Sequence, residues 1–138
     1  MNGNDFMSWV LRSPLHGMLS KSTMLITVTG CRTGKKYTTP VEYYDQGGYL
    51  WVITSRNRTW WRNVRGGAEA SLLLKRKSVT AFAETILDEA EVEAQLREYV
   101  RRMPVSARAL GLLEKNVPNE DVIKRVAKDR LFVRLALR

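Results

Sequence analysis

Three cations and three hydroxyl side chains are concentrated in residues 30–40, between one β-prone segment and the next. They are Arg32, Thr33, Lys35, Lys36, Thr38 and Thr39. Gly30 and Gly34 stand on either side of Arg32 and Thr33, and they permit backbone conformations that a side chain would forbid. Such a turn can point several N–H groups the same way, which forms an anion-binding concavity. The stretch therefore predicts a site for a phosphorylated or polyanionic ligand, with an ordinary solvated hairpin as the alternative.

The composition is typical of a soluble globular protein. The chain has 138 residues, 44% of them hydrophobic and 27% charged, which predicts one domain over residues 1–138. No apolar run approaches the roughly 20 residues that a membrane helix needs, and the first residues lack the basic and apolar blocks of a secretory signal. The single Cys31 excludes an internal disulfide framework and fits a reducing compartment. These features predict a cytoplasmic protein.

The net charge of +9 is unevenly distributed, because most of the excess Lys and Arg lies in the first 78 residues. A localised positive field raises the local concentration of anions. Nucleic acid is a common partner of so basic a chain, and a small barrel with aromatic and cationic side chains can hold a single strand. A nucleic-acid-binding module is therefore the rival hypothesis, and it would place the tryptophans and the cations on one open face.

Hydrophobic periodicity predicts six strands and several helices. The strands are expected at residues 23–29, 37–45, 49–55, 70–74, 79–86 and 131–137. The helices are expected at residues 5–12, 60–65, 88–103 and 106–115, with a short one capped by Asn119. Thr59 is a candidate N-cap for the second of them, and Asp88 with Glu91 resembles a capping box at the start of the third. Short turns between consecutive strands imply antiparallel pairing. We therefore expect an α+β, mainly β fold, in which a six-stranded antiparallel barrel carries flanking helices.

Three segments, residues 25–41, 51–56 and 59–65, together resemble the deazaflavin-dependent nitroreductase family. That family belongs to the split β-barrel flavin-binding proteins, which include the pyridoxamine-phosphate-oxidase-like enzymes. The resemblance implies a six-stranded split barrel, often a homodimer. It also implies binding of coenzyme F-420, an 8-hydroxy-5-deazaflavin with an anionic tail, and hydride transfer to a quinone-like or nitroaromatic acceptor.

The same resemblance implies a cofactor site in three parts. Phosphate-gripping residues are Arg32, Thr33, Gly34, Lys35 and Lys36, and the ring is expected along Thr38, Thr39 and Pro40. A strand end contributes Thr54, Ser55 and Arg56, and a short helix contributes Trp60, Trp61 and Asn63. The two tryptophans are expected to wall the space over the ring, with a purely structural role in the core as the alternative.

Two positions depart from the family pattern. Cys31 and Tyr37 stand where the family usually has basic residues. Two fewer cations favour a less anionic ligand, so FMN is the alternative cofactor, and a lipid-binding or haem-binding barrel without catalysis is a further one.

No Ser-His-Asp arrangement, metal-ligand cluster or pair of carboxylates stands out, and His16 has no partner cluster. This fits hydride transfer, in which the cofactor carries the chemistry and the protein binds and orients it. A phenol can assist as proton donor. Tyr43 is the predicted catalytic residue, Tyr37 is the second candidate, and a structural role for Tyr43 in the barrel wall remains open.

Overall fold

The computed structural model describes residues 22–138. The helix expected over residues 5–12 and the histidine at position 16 lie outside that range. The strands are β1 (Thr23–Thr29), β2 (Lys36–Glu42), β3 (Tyr44–Gln46), β4 (Tyr49–Ser55), β5 (Ala68–Leu74), β6 (Lys77–Ile86), β7 (Leu113–Glu114), β8 (Val117–Pro118) and β9 (Arg130–Leu137). The helices are a 3-10 helix (Trp60–Val64), α1 (Glu89–Arg102), α2 (Pro104–Ala109) and α3 (Glu120–Asp129). Within this part of the chain, no helix is long and apolar enough to cross a membrane.

Seven strands form one sheet in the order β2-β1-β5-β6-β9-β4-β3, and β7 and β8 form a separate pair. The pairs β1–β2, β1–β5, β3–β4 and β5–β6 are all antiparallel. This arrangement confirms the expected mainly β, α+β class.

The seventh strand comes from a break in the segment expected as one strand over residues 37–45. Tyr43, which belongs to neither strand, separates β2 from β3. Its backbone N–H donates to the carbonyl of Ser22 (2.8 Å), so the β1–β2 register continues one pair beyond Thr23 and Glu42. Although they are consecutive in the chain, β2 and β3 lie at opposite ends of the strand order.

The chain divides into two compact units that are interleaved in sequence. Of the described residues, the first unit contains 22–52, Thr59–Thr85 and Val133–Arg138, and the second contains Ile53–Arg58 and Ile86–Phe132. The single domain expected over the whole chain stays a prediction.

The first unit owes its core to apolar strand residues. Met24, Ile26, Val52 and Leu72 are completely buried. Five consecutive residues of β1 are buried, so both faces of this strand are covered. In β4 every second side chain is buried, and the residues between are half-buried.

The second unit packs helices around a small apolar core that includes Leu96, Ile123 and Phe132, all completely buried. The expected caps are confirmed. Asp88 accepts from the backbone N–H of Glu91 (3.1 Å) at the start of α1, and Asn119 accepts from that of Val122 (3.3 Å) at the start of α3. Each cap satisfies a backbone donor that has no partner within the helix.

The helix expected over residues 106–115 is confirmed only over residues 106–109, and the rest of that prediction is wrong. Helix α2 ends at Ala109, and the chain then turns into the β7–β8 hairpin. Gly111, Lys115 and Asn116 have φ angles of 77°, 51° and 65°. This left-handed backbone cannot continue a right-handed helix, and the Lys115–Asn116 pair instead forms the tight turn of the hairpin.

Candidate functional site

A pocket of about 450 Å³ lies in the first unit, between the loop that joins β1 to β2 and the 3-10 helix. It is lined by Gly30, Cys31, Arg32, Thr33, Tyr37, Thr59, Trp60, Arg62 and Asn63. This volume falls within the range of small-molecule sites, about 300–1,000 Å³. The turn singled out in the sequence therefore forms one wall of a concave site.

The loop, residues 30–35, is closed by its own hydrogen bonds. The register pairs Thr29 with Lys36, so that six residues connect the strands. The N–H of Gly30 donates to the carbonyl of Lys35 (2.6 Å), and that of Gly34 donates to the carbonyl of Gly30 (2.9 Å). Gly34 has φ +72°, which favours glycine. Part of the expected N–H concavity is therefore used inside the loop.

Gly30 also permits a close approach within the pocket wall. A Cβ at this position would lie 2.9 Å from Cε2 of Tyr37, 3.1 Å from Oγ1 of Thr33 and 3.2 Å from the carbonyl oxygen of Lys35. A larger residue would displace the Tyr37 ring or the loop backbone. The absent side chain at residue 30 therefore sets the shape of this wall.

The 3-10 helix forms the opposite wall. Trp60, Trp61 and Val64 are buried and anchor it in the core. In a 3-10 helix, residues three apart stack on one side, so Trp60 and Asn63 face the pocket together. Thr59 stands at the N-cap position but makes no side-chain capping bond, so the expected cap is wrong.

Asn63 connects the two walls. Its side-chain oxygen Oδ1 accepts a hydrogen bond from the backbone N–H of Cys31 (3.2 Å). This contact joins the loop to the 3-10 helix across 32 residues of sequence. Asn63 was expected to bind the cofactor directly; the structure also gives it a part in holding the site together.

The electrostatic character of the pocket is positive. Arg32 and Arg62 line it, and none of the described lining residues carries a carboxylate. Lys35 and Lys36 are exposed beside it. Cations that are free of carboxylate partners bind phosphate through short, charge-assisted hydrogen bonds. The arrangement can therefore hold an anionic group in the part of the wall that Trp60 lines.

The residues expected along the ring lie in β2, at one end of the strand order, and do not line the pocket. Oγ1 of Thr38 is 2.7 Å from Oγ1 of Thr27 on the neighbouring strand, so this hydroxyl pair ties β2 to β1. Thr39 is half-buried, and Pro40 is exposed. Proline has no N–H to donate, which suits a strand at the end of a sheet.

Three expected site residues belong to the second unit. Thr54 is buried, and Oγ of Ser55 donates to Oδ1 of Asn57 (2.7 Å). Nη2 of Arg56 donates to the carbonyl oxygens of Leu87 (2.7 Å) and Ala127 (3.2 Å). Arg56 thus stabilises that unit, and the role of these three residues in cofactor binding stays a prediction.

The two candidate phenols differ in environment. Tyr37 lines the pocket and is 46% exposed. Tyr43 is buried, does not line the pocket, and has a hydroxyl with no hydrogen-bond partner among the described residues. Burial, and secondly the negative charge of Asp45, raise the pKa of Tyr43 above its ordinary value. Its hydroxyl therefore stays protonated at neutral pH.

Thr59 and Arg62 line the pocket but were not among the site residues expected from the sequence. Both lie within the segment that carries the resemblance, at positions i and i+3 of the same helical turn. The spacing that places Trp60 beside Asn63 also places Thr59 beside Arg62. This spacing of three residues in the sequence could have indicated that Thr59 and Arg62 line the same site.

The sequence matches the family described as "F420H(2)-dependent quinone reductase" over residues 12–113, well over half of the chain. The chain belongs to this family. Membership confirms the resemblance to the deazaflavin-dependent proteins, the oxidoreductase class and F-420 as the cofactor. No curated protein matches the chain.

Solved structures with 17% sequence identity to the chain share its fold. A protein of unknown function from Agrobacterium tumefaciens aligns with a TM-score of 0.61 over 87% of this chain and 50% of its own. An FAD-binding and haem-binding protein from Mycobacterium smegmatis aligns with a TM-score of 0.56 over 90% of this chain and 65% of its own. An F-420-H2 dependent reductase, FDR-A, aligns with a TM-score of 0.50 over 82% of this chain and 94% of its own. The family member described here thus spans about half the length of the Agrobacterium protein.

Proposed function

We propose that this protein transfers hydride from reduced F-420 to a quinone-like or nitroaromatic acceptor. The observation that carries the proposal is the pocket between the Gly30 loop and the 3-10 helix, which combines two arginines with a buried tryptophan and no described carboxylate. The family assignment supplies the cofactor class.

The residues present fit the cofactor's anionic tail. Arg32 and Arg62 offer guanidinium donors, and the backbone N–H groups of Arg32 and Thr33 have no partner within the described residues. Lys35 and Lys36 add charge at the exposed side of the loop. A phosphate bound here would accept hydrogen bonds from both backbone and side chains, as in other anion sites.

When bound, reduced F-420 supplies a hydride, that is, two electrons and one proton. Trp60 offers an aromatic face, which favours a planar acceptor, and hydride transfer needs the reacting atoms about 3–3.5 Å apart. A quinone that receives the hydride needs one more proton to become a hydroquinone. Tyr43 stays the proposed donor, with a protonated hydroxyl that has no described hydrogen-bond partner. Tyr37 is the alternative, and it is the phenol that lines the pocket.

FMN remains the second candidate cofactor for a specific reason. Cys31 and Tyr37, which replace the expected cations, both line the pocket. Their uncharged side chains suit a ligand with a single phosphate, and one structural neighbour is an FAD-binding and haem-binding protein.

Titration calorimetry with F-420 and with FMN tests the choice of cofactor. We expect F-420 to bind more tightly because its tail carries more negative charge into a carboxylate-free pocket. We also expect binding to weaken as salt is added, since an exposed charged site is screened. Tighter binding of FMN would favour the second candidate, and binding of neither would contradict the proposal.

We further propose that the sheet is the six-stranded split barrel implied by the family, with β3 as a three-residue addition. The single residue Tyr43 joins strands from the two ends of the strand order, which supports closure of the sheet. The homodimer and the cytoplasmic location also stay proposals.

The rival hypothesis of a nucleic-acid module receives no support from the tryptophans within residues 22–138. Trp60 and Trp61 are buried, and the indole N–H of Trp51 donates to the carbonyl of Gln46 (3.0 Å). These rings do not form the open stacking face that a single strand requires.

A further inference from the structure

We propose that Arg62 is a specificity-determining residue that binds the anionic tail of the cofactor jointly with Arg32. This inference rests on the proposed function. Arg62 lies on the 3-10 helix and Arg32 on the opposite wall, so the two cations approach the same pocket from different elements. An anion between them would contact both walls.

The Arg62 guanidinium is held by an aromatic ring and not by an acid. Its Cζ lies 5.7 Å from the centroid of the buried Trp61 ring, within the range of a cation–π interaction. No ion pair involves Arg62 among the described residues. Trp61 thus acts as a positioning residue, while the charge of Arg62 remains available to a ligand.

Arg65 provides an internal comparison. Its Cζ lies 5.9 Å from the same ring centroid, and it belongs to the same basic segment, yet it does not line the pocket. The two arginines are both exposed and carry the same charge. They differ in access to the pocket, so comparing them separates a local contact from a general effect of net charge.

This assignment also compensates for one of the two missing cations. Positions 31 and 37 hold Cys and Tyr at the pocket wall, where basic residues were expected from the resemblance. Arg62 returns one positive charge to the same pocket from the facing wall. The anion site is therefore shifted toward the 3-10 helix, not abolished.

The test uses two pairs of ligands that differ in the phosphate. F-420 is compared with the ribityl deazaflavin that lacks phosphate and tail, and FMN is compared with riboflavin. Affinities are measured by calorimetry for the unmodified protein and for Arg62→Ala, Arg62→Lys and Arg65→Ala. Unfolding in urea checks that each variant is folded.

We expect Arg62→Ala to weaken F-420 binding about tenfold or more, as for a lost charged hydrogen bond, and to leave the phosphate-free deazaflavin within about twofold. Arg62→Lys should recover part of the affinity because it keeps the charge without the guanidinium fork. Arg65→Ala should stay near the unmodified protein.

If Arg62→Ala and Arg65→Ala lose the same affinity for F-420, the assignment is overturned. It is also overturned if Arg62→Ala loses as much affinity for the phosphate-free ligands as for the phosphate-bearing ones. If only FMN binds, and its phosphate contribution depends on Arg62, the assignment stands while the deazaflavin proposal fails. If no phosphate-bearing ligand binds more tightly than its phosphate-free counterpart, the assignment is wrong.

Discussion

Replacing Trp60 with Ala should cost about 3–5 kcal/mol of folding stability, as truncation of a buried tryptophan does, and should remove most activity. Trp60 is only 7% exposed and lines the pocket. Because typical domains are stable by only about 5–15 kcal/mol, this variant can be largely unfolded. Urea unfolding followed by circular dichroism measures the loss.

Trp60→Leu keeps an apolar side chain and removes the aromatic face, so it separates binding from folding. We expect it to fold and to bind F-420 more weakly, since aromatic contacts contribute roughly 0.5–1.5 kcal/mol beyond burial. Trp51→Leu is the matched control, because Trp51 lies in β4 and does not line the pocket. Equal affinities for these two leucine variants would show that the Trp60 ring does not contact the cofactor.

Replacing Tyr43 with Phe should lower the rate of acceptor reduction about 100-fold or more, within the range typical of a lost general acid. Folding stability should be unchanged or higher, because the deleted hydroxyl is buried and has no described partner. Tyr49→Phe, in β4, controls for the loss of a phenol elsewhere in the same unit. Rates come from single-turnover mixing of the loaded enzyme with a quinone.

Tyr37→Phe decides between the two phenols. If Tyr37 is the donor, this variant should lose the rate and Tyr43→Phe should keep it. A full rate in both variants would assign the proton to solvent and exclude both tyrosines as donors.

The raised pKa of Tyr43 also makes the folding stability depend on pH. The unfolded phenol ionises near pH 10, whereas burial holds the folded one protonated above that value. The contribution of the protonated Tyr43 phenol to folding stability is therefore complete below about pH 10. It is lost as pH rises through the pKa that Tyr43 has in the folded protein. The unmodified protein should lose stability above pH 10 more steeply than Tyr43→Phe.

The sequence was most informative where one local pattern determines structure. Alternating apolar residues located the long strands, and Asp88 and Asn119 marked the starts of α1 and α3. The glycine-flanked turn located one wall of the pocket. Each of these features depends on neighbours within a few residues.

The features that could not be predicted depend on partners distant in sequence or on backbone conformation. The break at Tyr43 places β2 and β3 at opposite ends of the strand order, and the loop position depends on Asn63, 32 residues from Cys31. Lys115 and Asn116 adopt left-handed conformations that ordinary propensities disfavour. Apolar spacing alone therefore suggested a helix where the chain forms a hairpin.

The central claim is hydride transfer from reduced F-420, and its most direct test is oxidation of that cofactor. The purified protein is mixed with reduced F-420 and a soluble quinone, without oxygen, and the absorbance of the oxidised deazaflavin is followed. A second reaction contains reduced FMN, and a third contains a nitroaromatic acceptor. We expect the oxidised deazaflavin to appear only with protein and acceptor together, in amounts equal to the acceptor reduced. Oxidation at the protein-free rate, or turnover with reduced FMN alone, would contradict the claim.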